Sequence, residues 1–336
     1  MLDPAAASGS PHVSVMTYAD AARLAIAEAM RADQTVWCIG EDLGRGGVFK
    51  QYAGLVEEFG PARISDAPIS EAAIMGSAFG AALVGTRPIV EMRFADFALC
   101  ATDELVNQIA KSRFMFGGQS RAPMVIRKPM GMWRSSAAQH SQSLESWYTH
   151  IPGLVVACPS TPQHNYSLMK AAIACDDPVV YLEHKDIWSM EGEVDTRIGI
   201  DFGKASIRQQ GSDITLVSWS NTANLCMEAA KLLQRESISA EVIDLVSLWP
   251  WDKATVLDSV RKTGRLVVAH ESVSVGGFGA EVIATVAQTI PLTTLPRRIG
   301  SPRGLIAYAP NLENQMRVTA DKIADTARNA METASA

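Results

Sequence analysis

The sequence lacks the cysteine patterns that indicate disulfide-rich or zinc-binding proteins. Its cysteines (Cys38, Cys100, Cys158, Cys175 and Cys226) are odd in number, scattered along the chain and never spaced as a CxxC pair. This arrangement disfavours both a disulfide framework and a structural zinc site. We therefore expect a reducing cytoplasm as the location of the protein.

Long apolar runs and clusters of basic residues are also missing. No uninterrupted apolar segment reaches membrane-spanning length. The first dozen residues, rich in alanine, serine and proline, have neither the basic start nor the apolar centre of a signal peptide. The formal net charge is −6, and no basic run offers a nucleic-acid surface. We expect neither a membrane nor a nucleic acid as a partner.

The chain does have the length and apolar content for more than one domain. It contains 336 residues, of which 47% are hydrophobic. Short apolar strands alternate with helical segments, which is typical of parallel sheets covered by helices on both faces. We predict an α/β protein with a tail (residues 1–15), a first doubly wound domain (16–190), a linker with an extended segment (191–211) and a second doubly wound domain (212–336).

Several helices are predicted along the chain. The spacing of apolar residues predicts helices at about residues 51–59, 99–115 and 311–331. A Gly276-Gly277-Phe278-Gly279 turn precedes another helix, and its N–H groups could bind an anion. The alternative is that this turn only permits close packing.

The stretch around Pro68 has the most unusual local chemistry. Pro68 disfavours helix at the preceding residue, and Ser70 is suited to cap a helix that runs from Glu71 to about Val84. This helix is small and apolar on most faces, so we predict that it is buried. Glu71, in the first turn, is its only ionisable residue.

Glu71 has two interpretations. A carboxylate at a helix N-terminus can simply favour the positive end of the helix dipole, which contributes ~0.3–1 kcal/mol. Alternatively, a carboxylate in a dry site has a shifted pKa and handles a proton.

Two further segments could carry chemistry. Phe94-Ala95-Asp96-Phe97 ends a predicted strand, and ligand crevices open at the carboxyl ends of parallel strands. Phe97 is either a core aromatic or a flat surface for a ligand ring. His140, in Ala138-Gln139-His140-Ser141-Gln142, follows a loop with glycine and serine. It is either a structural histidine or a proton carrier, since the imidazole pKa lies near working pH.

Together these segments, with Asp66-Ala67-Pro68-Ile69-Ser70-Glu71-Ala72, resemble the beta subunit of the thiamine-diphosphate-dependent 2-oxoacid dehydrogenases. This family includes the pyruvate, branched-chain and acetoin enzymes, and the middle of the chain looks closest to acetoin-cleaving members. The resemblance runs from Thr17 to about Arg328. It implies a domain that binds the thiamine pyrimidine on a parallel sheet, followed by a transketolase C-terminal-like domain.

The resemblance also implies roles for individual residues. Glu71 hydrogen-bonds the pyrimidine ring of thiamine diphosphate, Phe97 packs on that ring, and Ile69 belongs to the same cofactor-binding set. His140 assists transfer of the acyl unit to a lipoyl group. In some relatives, a loop aligned with residues 172–177 binds potassium.

The sequence contains no Gly-Asp-Gly segment, on which thiamine enzymes hold the diphosphate through magnesium. It offers no carboxylate cluster suited to Mg²⁺ either. We therefore expect this chain to supply only half of the cofactor site, and no metal ligand. The resemblance implies that an alpha subunit supplies the magnesium ligands, in a heterotetramer of two alpha and two beta chains.

The expected function is cleavage of a C–C bond of acetoin or a short 2-oxoacid, with transfer of the acyl unit to a lipoyl-bearing acyltransferase core. One alternative is a two-chain, transketolase-like enzyme that moves a two-carbon unit to a carrier protein. Another is a non-catalytic subunit that anchors its partner to a multienzyme core.

Overall fold

The computed structural model describes residues 12–332, which form two α/β units. The strands are β1 (Val13–Thr17), β2 (Val36–Gly40), β3 (Ile64–Asp66), β4 (Arg87–Glu91), β5 (Val125–Met130), β6 (Val155–Ala157), β7 (Val179–His184), β8 (Glu191–Asp195), β9 (Ser206–Gln209), β10 (Ile214–Ser218), β11 (Ala240–Asp244), β12 (Ser247–Trp249), β13 (Leu266–Val273) and β14 (Arg297–Ser301). The helices are α1 (Tyr18–Ala32), α2 (Leu55–Phe59), α3 (Glu71–Leu83), α4 (Ser112–Met115), α5 (Glu145–Thr149), α6 (Pro162–Ala174), α7 (Ser220–Gln234), α8 (Lys253–Thr263), α9 (Gly279–Thr289), α10 (Pro310–Met316) and α11 (Ala320–Met331). Between residues 12 and 332, no helix has both the length and the apolar character needed to cross a membrane.

The first unit is built on a sheet in the order β12-β6-β7-β5-β4-β2-β3. Its strands are parallel except β12. Neighbouring residues of one strand face opposite sides, so Ile89 and Val125 belong to one hydrophobic core and Val90 and Ile126 to the other. Both faces are therefore buried, which explains why the strands read as continuous apolar runs.

The second unit has a sheet in the order β14-β13-β10-β11-β9, with β9 antiparallel at one edge. Strand pairing also links the two units. Strand β12 follows the second-unit strand β11 in the chain but pairs with β6 of the first sheet. One hydrophobic core contains residues of both units, including Val180 and Val217. The predicted fold class, two doubly wound α/β domains, is confirmed.

The predicted tail and the predicted linker, which was expected to include an extended segment, both contain strands. Residues 1–11 of the predicted tail lie outside the described part of the chain, but Val13–Thr17 forms β1. The predicted linker contributes β8, which pairs antiparallel with β1, and β9, which joins the second sheet. All three strands lie at sheet edges, where one side is left uncovered, which explains the weak periodicity of these segments.

The helix predictions at residues 51–59, 99–115 and 311–331 were each too regular. The first is shortened to α2, because Gly54 adopts a left-handed conformation just before it. Residues 99–115 instead form a 3₁₀ turn (Phe97–Ala101), a π-helical turn (Glu104–Ile109) and α4. The last helix is divided into α10 and α11, where the Thr319 hydroxyl accepts from Lys322 N and starts a new helix.

A buried network of charged and polar groups crosses the middle of the first sheet. The Arg127 guanidinium on β5 forms an ion pair with Glu183 on β7, with Nη2 and Oε1 2.9 Å apart. Arg127 Nε also lies 3.8 Å from Glu91 Oε2 on β4, which accepts a hydrogen bond of 3.0 Å from the Tyr52 hydroxyl. Burial raises the pKa of Glu91 to about 7. The network therefore ties three adjacent strands together.

Replacing Glu183 by glutamine tests this network. We expect Glu183→Gln to lower the free energy of unfolding by about 3–5 kcal/mol, because Arg127 would remain buried without its counter-charge. The matched control is Asp258→Asn, which breaks an exposed pair with Arg261 and should change stability by less than about 0.5 kcal/mol. Urea denaturation of the chain measures both, and equal losses would contradict the importance of the buried pair.

Candidate active site

The candidate site lies where the parallel strands of the first sheet end. Phe94–Phe97 follows β4, the loop with His140 follows β5, and Lys185 follows β7. Helix α3, with Glu71 at its start, follows β3. Because the carboxyl ends of parallel strands share one edge of a sheet, these segments converge there.

The structure brings Phe97 and His140 into contact. Their ring centroids are 5.1 Å apart, and Phe94 lies 4.9 Å from His140 and 5.4 Å from Phe97. All three pairs meet edge to face, an arrangement that aromatic quadrupoles favour. Phe97 and His140 are both partly exposed, so each retains a surface that a ligand can contact.

Glu71 occupies the first position of α3. The predicted Ser70 cap is wrong, because the Ser70 hydroxyl donates to Pro68 O at 3.3 Å and caps no helix N–H. Glu71 is half-buried, and within residues 12–332 its carboxylate makes no hydrogen bond or ion pair. Ile69 beside it is 76% exposed. Both side chains are available to a molecule outside this chain.

The prediction that α3 is buried on all sides is also wrong for this chain. One face, with Ile74, Met75 and Ala78, packs into the core beside the Phe97–Ala101 turn. The opposite face is exposed and consists of small or apolar residues: Ala72, Ala73, Gly76, Gly80, Leu83 and Val84. An apolar helix face of this extent is typical of a surface that another chain covers.

Lys185 and Asp96 complete the surroundings of His140. The Lys185 ammonium donates to the backbone carbonyl of His140 and lies 4.7 Å from the Phe94 ring centroid. Burial lowers the pKa of Lys185 to about 8. Asp96 Oδ1 accepts from Gln142 Nε2 at 2.8 Å. No role for either residue is predicted from the sequence, although Asp96 lies within the Phe94–Phe97 segment.

Large aromatic rings form a wall beside this cluster. Phe49 lies 5.8 Å from Phe94, 5.4 Å from Trp133 and 4.5 Å from Trp188, measured between ring centroids. The wall is drawn from four separate loops and has no local sequence signature. It lies on the side of the site next to Phe94.

Two other predicted candidates have structural partners. Gly277 and Gly279 pack against buried His270, and a Cβ at either would lie within 3 Å of its ring. This contact favours the interpretation of the Gly276–Gly279 turn as a packing device. In the loop at residues 172–177, Arg87 donates to Ile173 O and Cys175 O at 3.0 and 3.1 Å.

No group of three or more histidine, cysteine or carboxylate side chains in the described part of the chain is placed to hold a metal ion. The described residues thus supply a carboxylate, aromatic faces and an imidazole at one edge of a sheet. They supply no cluster suited to a metal-bound diphosphate.

Comparison with known proteins identifies both units. The family described as "Transketolase, pyrimidine binding domain" matches residues 14–189, and "Transketolase, C-terminal domain" matches residues 203–323. A solved chain described as a split gene transketolase, inactive beta4 tetramer, has a TM-score of 0.79 and 22% identity, and covers 94% of this chain and 98% of its own. That likeness shows the fold.

Curated relatives share much more sequence. The 2-oxoisovalerate dehydrogenase subunit beta of Bacillus subtilis is 38% identical, over 95% of this chain and 100% of its own. The acetoin:2,6-dichlorophenolindophenol oxidoreductase subunit beta of Cupriavidus necator is 40% identical, over 92% and 95%. The pyruvate dehydrogenase E1 component subunit beta of Rickettsia conorii is 41% identical, over 89% and 93%. The chain therefore belongs to the family of beta subunits of the thiamine-diphosphate-dependent 2-oxoacid and acetoin dehydrogenases.

Proposed function

We propose that this chain is the beta subunit of an enzyme that cleaves a C–C bond of acetoin or a short 2-oxoacid and transfers the acyl unit to a lipoyl group of an acyltransferase. The observation that carries the proposal is that the Glu71 carboxylate, at the start of α3, makes no hydrogen bond or ion pair within residues 12–332. It lies at the sheet edge where Phe97 and His140 meet. These residue types match the needs of a planar, nitrogen-containing cofactor ring.

The residues fit the pyrimidine half of thiamine diphosphate. Glu71 can hydrogen-bond a ring nitrogen, Phe97 offers a flat face, and exposed Ile69 offers apolar contact. When bound, thiamine diphosphate supplies the carbon nucleophile for C–C cleavage next to a carbonyl. Glu71 then holds or releases a proton at the ring nitrogen, a task that becomes more favourable once a partner chain excludes water from the carboxylate.

A second chain is needed to complete the site. The exposed apolar face of α3 begins at Glu71, so a chain that covers this face also encloses the carboxylate. We propose an alpha subunit there, with the magnesium ligands and the diphosphate-binding residues, in a heterotetramer of two alpha and two beta chains. We do not extend the proposal to potassium, since two carbonyls of the 172–177 loop already accept from Arg87.

His140 is proposed to move a proton during acyl transfer. Its imidazole is held between the Phe94 and Phe97 rings, while Lys185 holds its backbone carbonyl. An imidazole fixed in this way can donate to, or accept from, the sulfur of a lipoyl group as the acyl unit passes to it.

The aromatic wall supports a short donor. Phe49, Trp133 and Trp188 crowd the side of the site next to Phe94, which leaves less room for a branched side chain. Relatives named for acetoin, pyruvate and 2-oxoisovalerate enzymes have 40%, 41% and 38% identity, so identity does not separate these donors and the proposal of a short donor rests on the aromatic wall.

A cytoplasmic location is proposed from the five cysteines, all of which are free.

Replacing Glu71 tests the central role. We expect Glu71→Gln in the assembled enzyme with saturating cofactor to lower turnover by about 10²–10⁴-fold, the usual contribution of a positioned proton-transfer group. The control is Asp321→Asn, another first-turn carboxylate but far along the chain on α11, which should leave turnover unchanged. Near-normal turnover in Glu71→Gln would contradict the proton-handling role. Only the interpretation that Glu71 favours the positive end of the helix dipole would then remain.

Cofactor titration separates a catalytic subunit from an anchoring subunit. Calorimetry with thiamine diphosphate and Mg²⁺ is expected to show tight binding to the mixed chains and little to this chain alone, because the described residues hold no metal cluster. Glu71→Ala should weaken binding to the mixture. Tight binding by this chain alone, or unchanged affinity in the variant, would contradict the shared site.

His140 is tested by separating the two half-reactions. We expect His140→Ala to reduce acyl transfer to a lipoyl acceptor by about 10²–10⁴-fold, while cleavage coupled to an artificial dye acceptor persists. His150→Ala, which removes an exposed histidine at the end of α5, is the matched control. A variant that lost neither activity would remove His140 from the mechanism.

A further inference from the structure

The loop that carries His140 has a strained backbone with few hydrogen bonds of its own. We call residues Gly131–Ser143 the His140 loop. Its neck is closed by one hydrogen bond, from Gly131 N to Gln142 O at 3.3 Å. Arg134, Ser135 and Ala137 have φ values of 46°, 58° and 62°, in the left-handed region that non-glycine residues disfavour. Such residues persist only where their surroundings fix them.

Both ends of the loop are held from the second unit by the same carboxylate. Glu271 lies on β13, and its Oε1 accepts from Met132 N at 2.8 Å and from the Ser143 hydroxyl at 3.1 Å. Met132 and Ser143 are at the two ends of the His140 loop. The same oxygen is 3.0 Å from His184 Nε2, at the end of β7.

Two further contacts reinforce this arrangement. Glu313 on α10 accepts from Ser135 N at 2.8 Å, within the strained part of the loop. Gly131 passes so close to His184 that a Cβ there would lie 2.1 Å from Nε2. The loop therefore fits tightly against the pair formed by His184 and Glu271.

Glu271 is suited to remain ionised in this position. Burial opposes its charge, but His184 and the Arg317 guanidinium lie near enough to hold the pKa of Glu271 below its usual value. A charged acceptor makes stronger hydrogen bonds than a neutral one. The three donors around Oε1 are thus held more firmly than an amide would hold them.

We propose that Glu271 is a positioning residue for acyl transfer, which sets the place of His140 by fixing both ends of its loop from the second unit. The inference rests on the proposed role of His140. Glu271 contacts the loop neck, and it belongs neither to the hydrophobic cores nor to the Arg127 network. Its loss should therefore move the loop and leave the two sheets intact.

Comparison of the two half-reactions tests this inference in the assembled enzyme. For Glu271→Ala we expect a loss of acyl transfer to a lipoyl acceptor of ~100-fold, the effect of displacing a reacting group by about 1 Å. Dye-coupled cleavage should remain near that of the unsubstituted enzyme, and Glu271→Gln should fall between the two. The control is Glu241→Gln, which changes a buried carboxylate of the same unit that accepts from Ser259.

Two more variants make the outcome decisive. His140→Ala combined with Glu271→Ala should lose no more acyl transfer than His140→Ala alone, because both changes remove the same group. Ser143→Ala removes one contact from the loop side and should give a smaller loss of the same kind, even if Glu271→Ala fails to assemble. Equal losses in both half-reactions, or additive losses in the double variant, would overturn the inference. If His140→Ala itself retained acyl transfer, the proposed role of His140 would be the part that failed.

Discussion

The buried ion pair between Arg127 and Glu183 fixes the part of the molecule on which the site depends. With Glu91, these residues link β5, β7 and β4 inside the first sheet, where unpaired charges would be strongly unfavourable. The segments that approach the site leave the carboxyl ends of these same three strands. A change in the pairing of any of them would therefore shift Phe97, His140 or Lys185 relative to the others.

This rigid edge contrasts with the open side of the site. Helix α3 is anchored on one face only, and its exposed face is as apolar as its buried one. In the single chain, the Glu71 carboxylate at the start of this helix is partly exposed to water. Under the proposed function, its surroundings become dry only when the alpha subunit covers the helix, so assembly of the two chains would also complete the site around the acid. A beta subunit without its partner would then lack a complete reactive site.

The sequence was sufficient for the architecture because buried parallel strands are short apolar runs and their order alternates with helices. It was less reliable at residues 99–115, where α, 3₁₀ and π turns place apolar residues at nearly the same spacing. The apolar pattern of α3 predicted burial of the whole helix, but such a pattern does not say which chain covers each face, and one face is exposed here. Glu271 could not be found this way, because it lies 139 residues from Met132 and no local pattern connects them.

The strand β12 has a consequence for how the chain can be divided. It is drawn from the second half yet completes the outer edge of the first sheet, beside β6. A fragment that stopped within residues 191–211 would leave the β6 backbone groups bare, and bare edges recruit strands from other molecules. The first unit is therefore a poor candidate for independent expression. Division of the gene at the linker would yield a first half that self-associates.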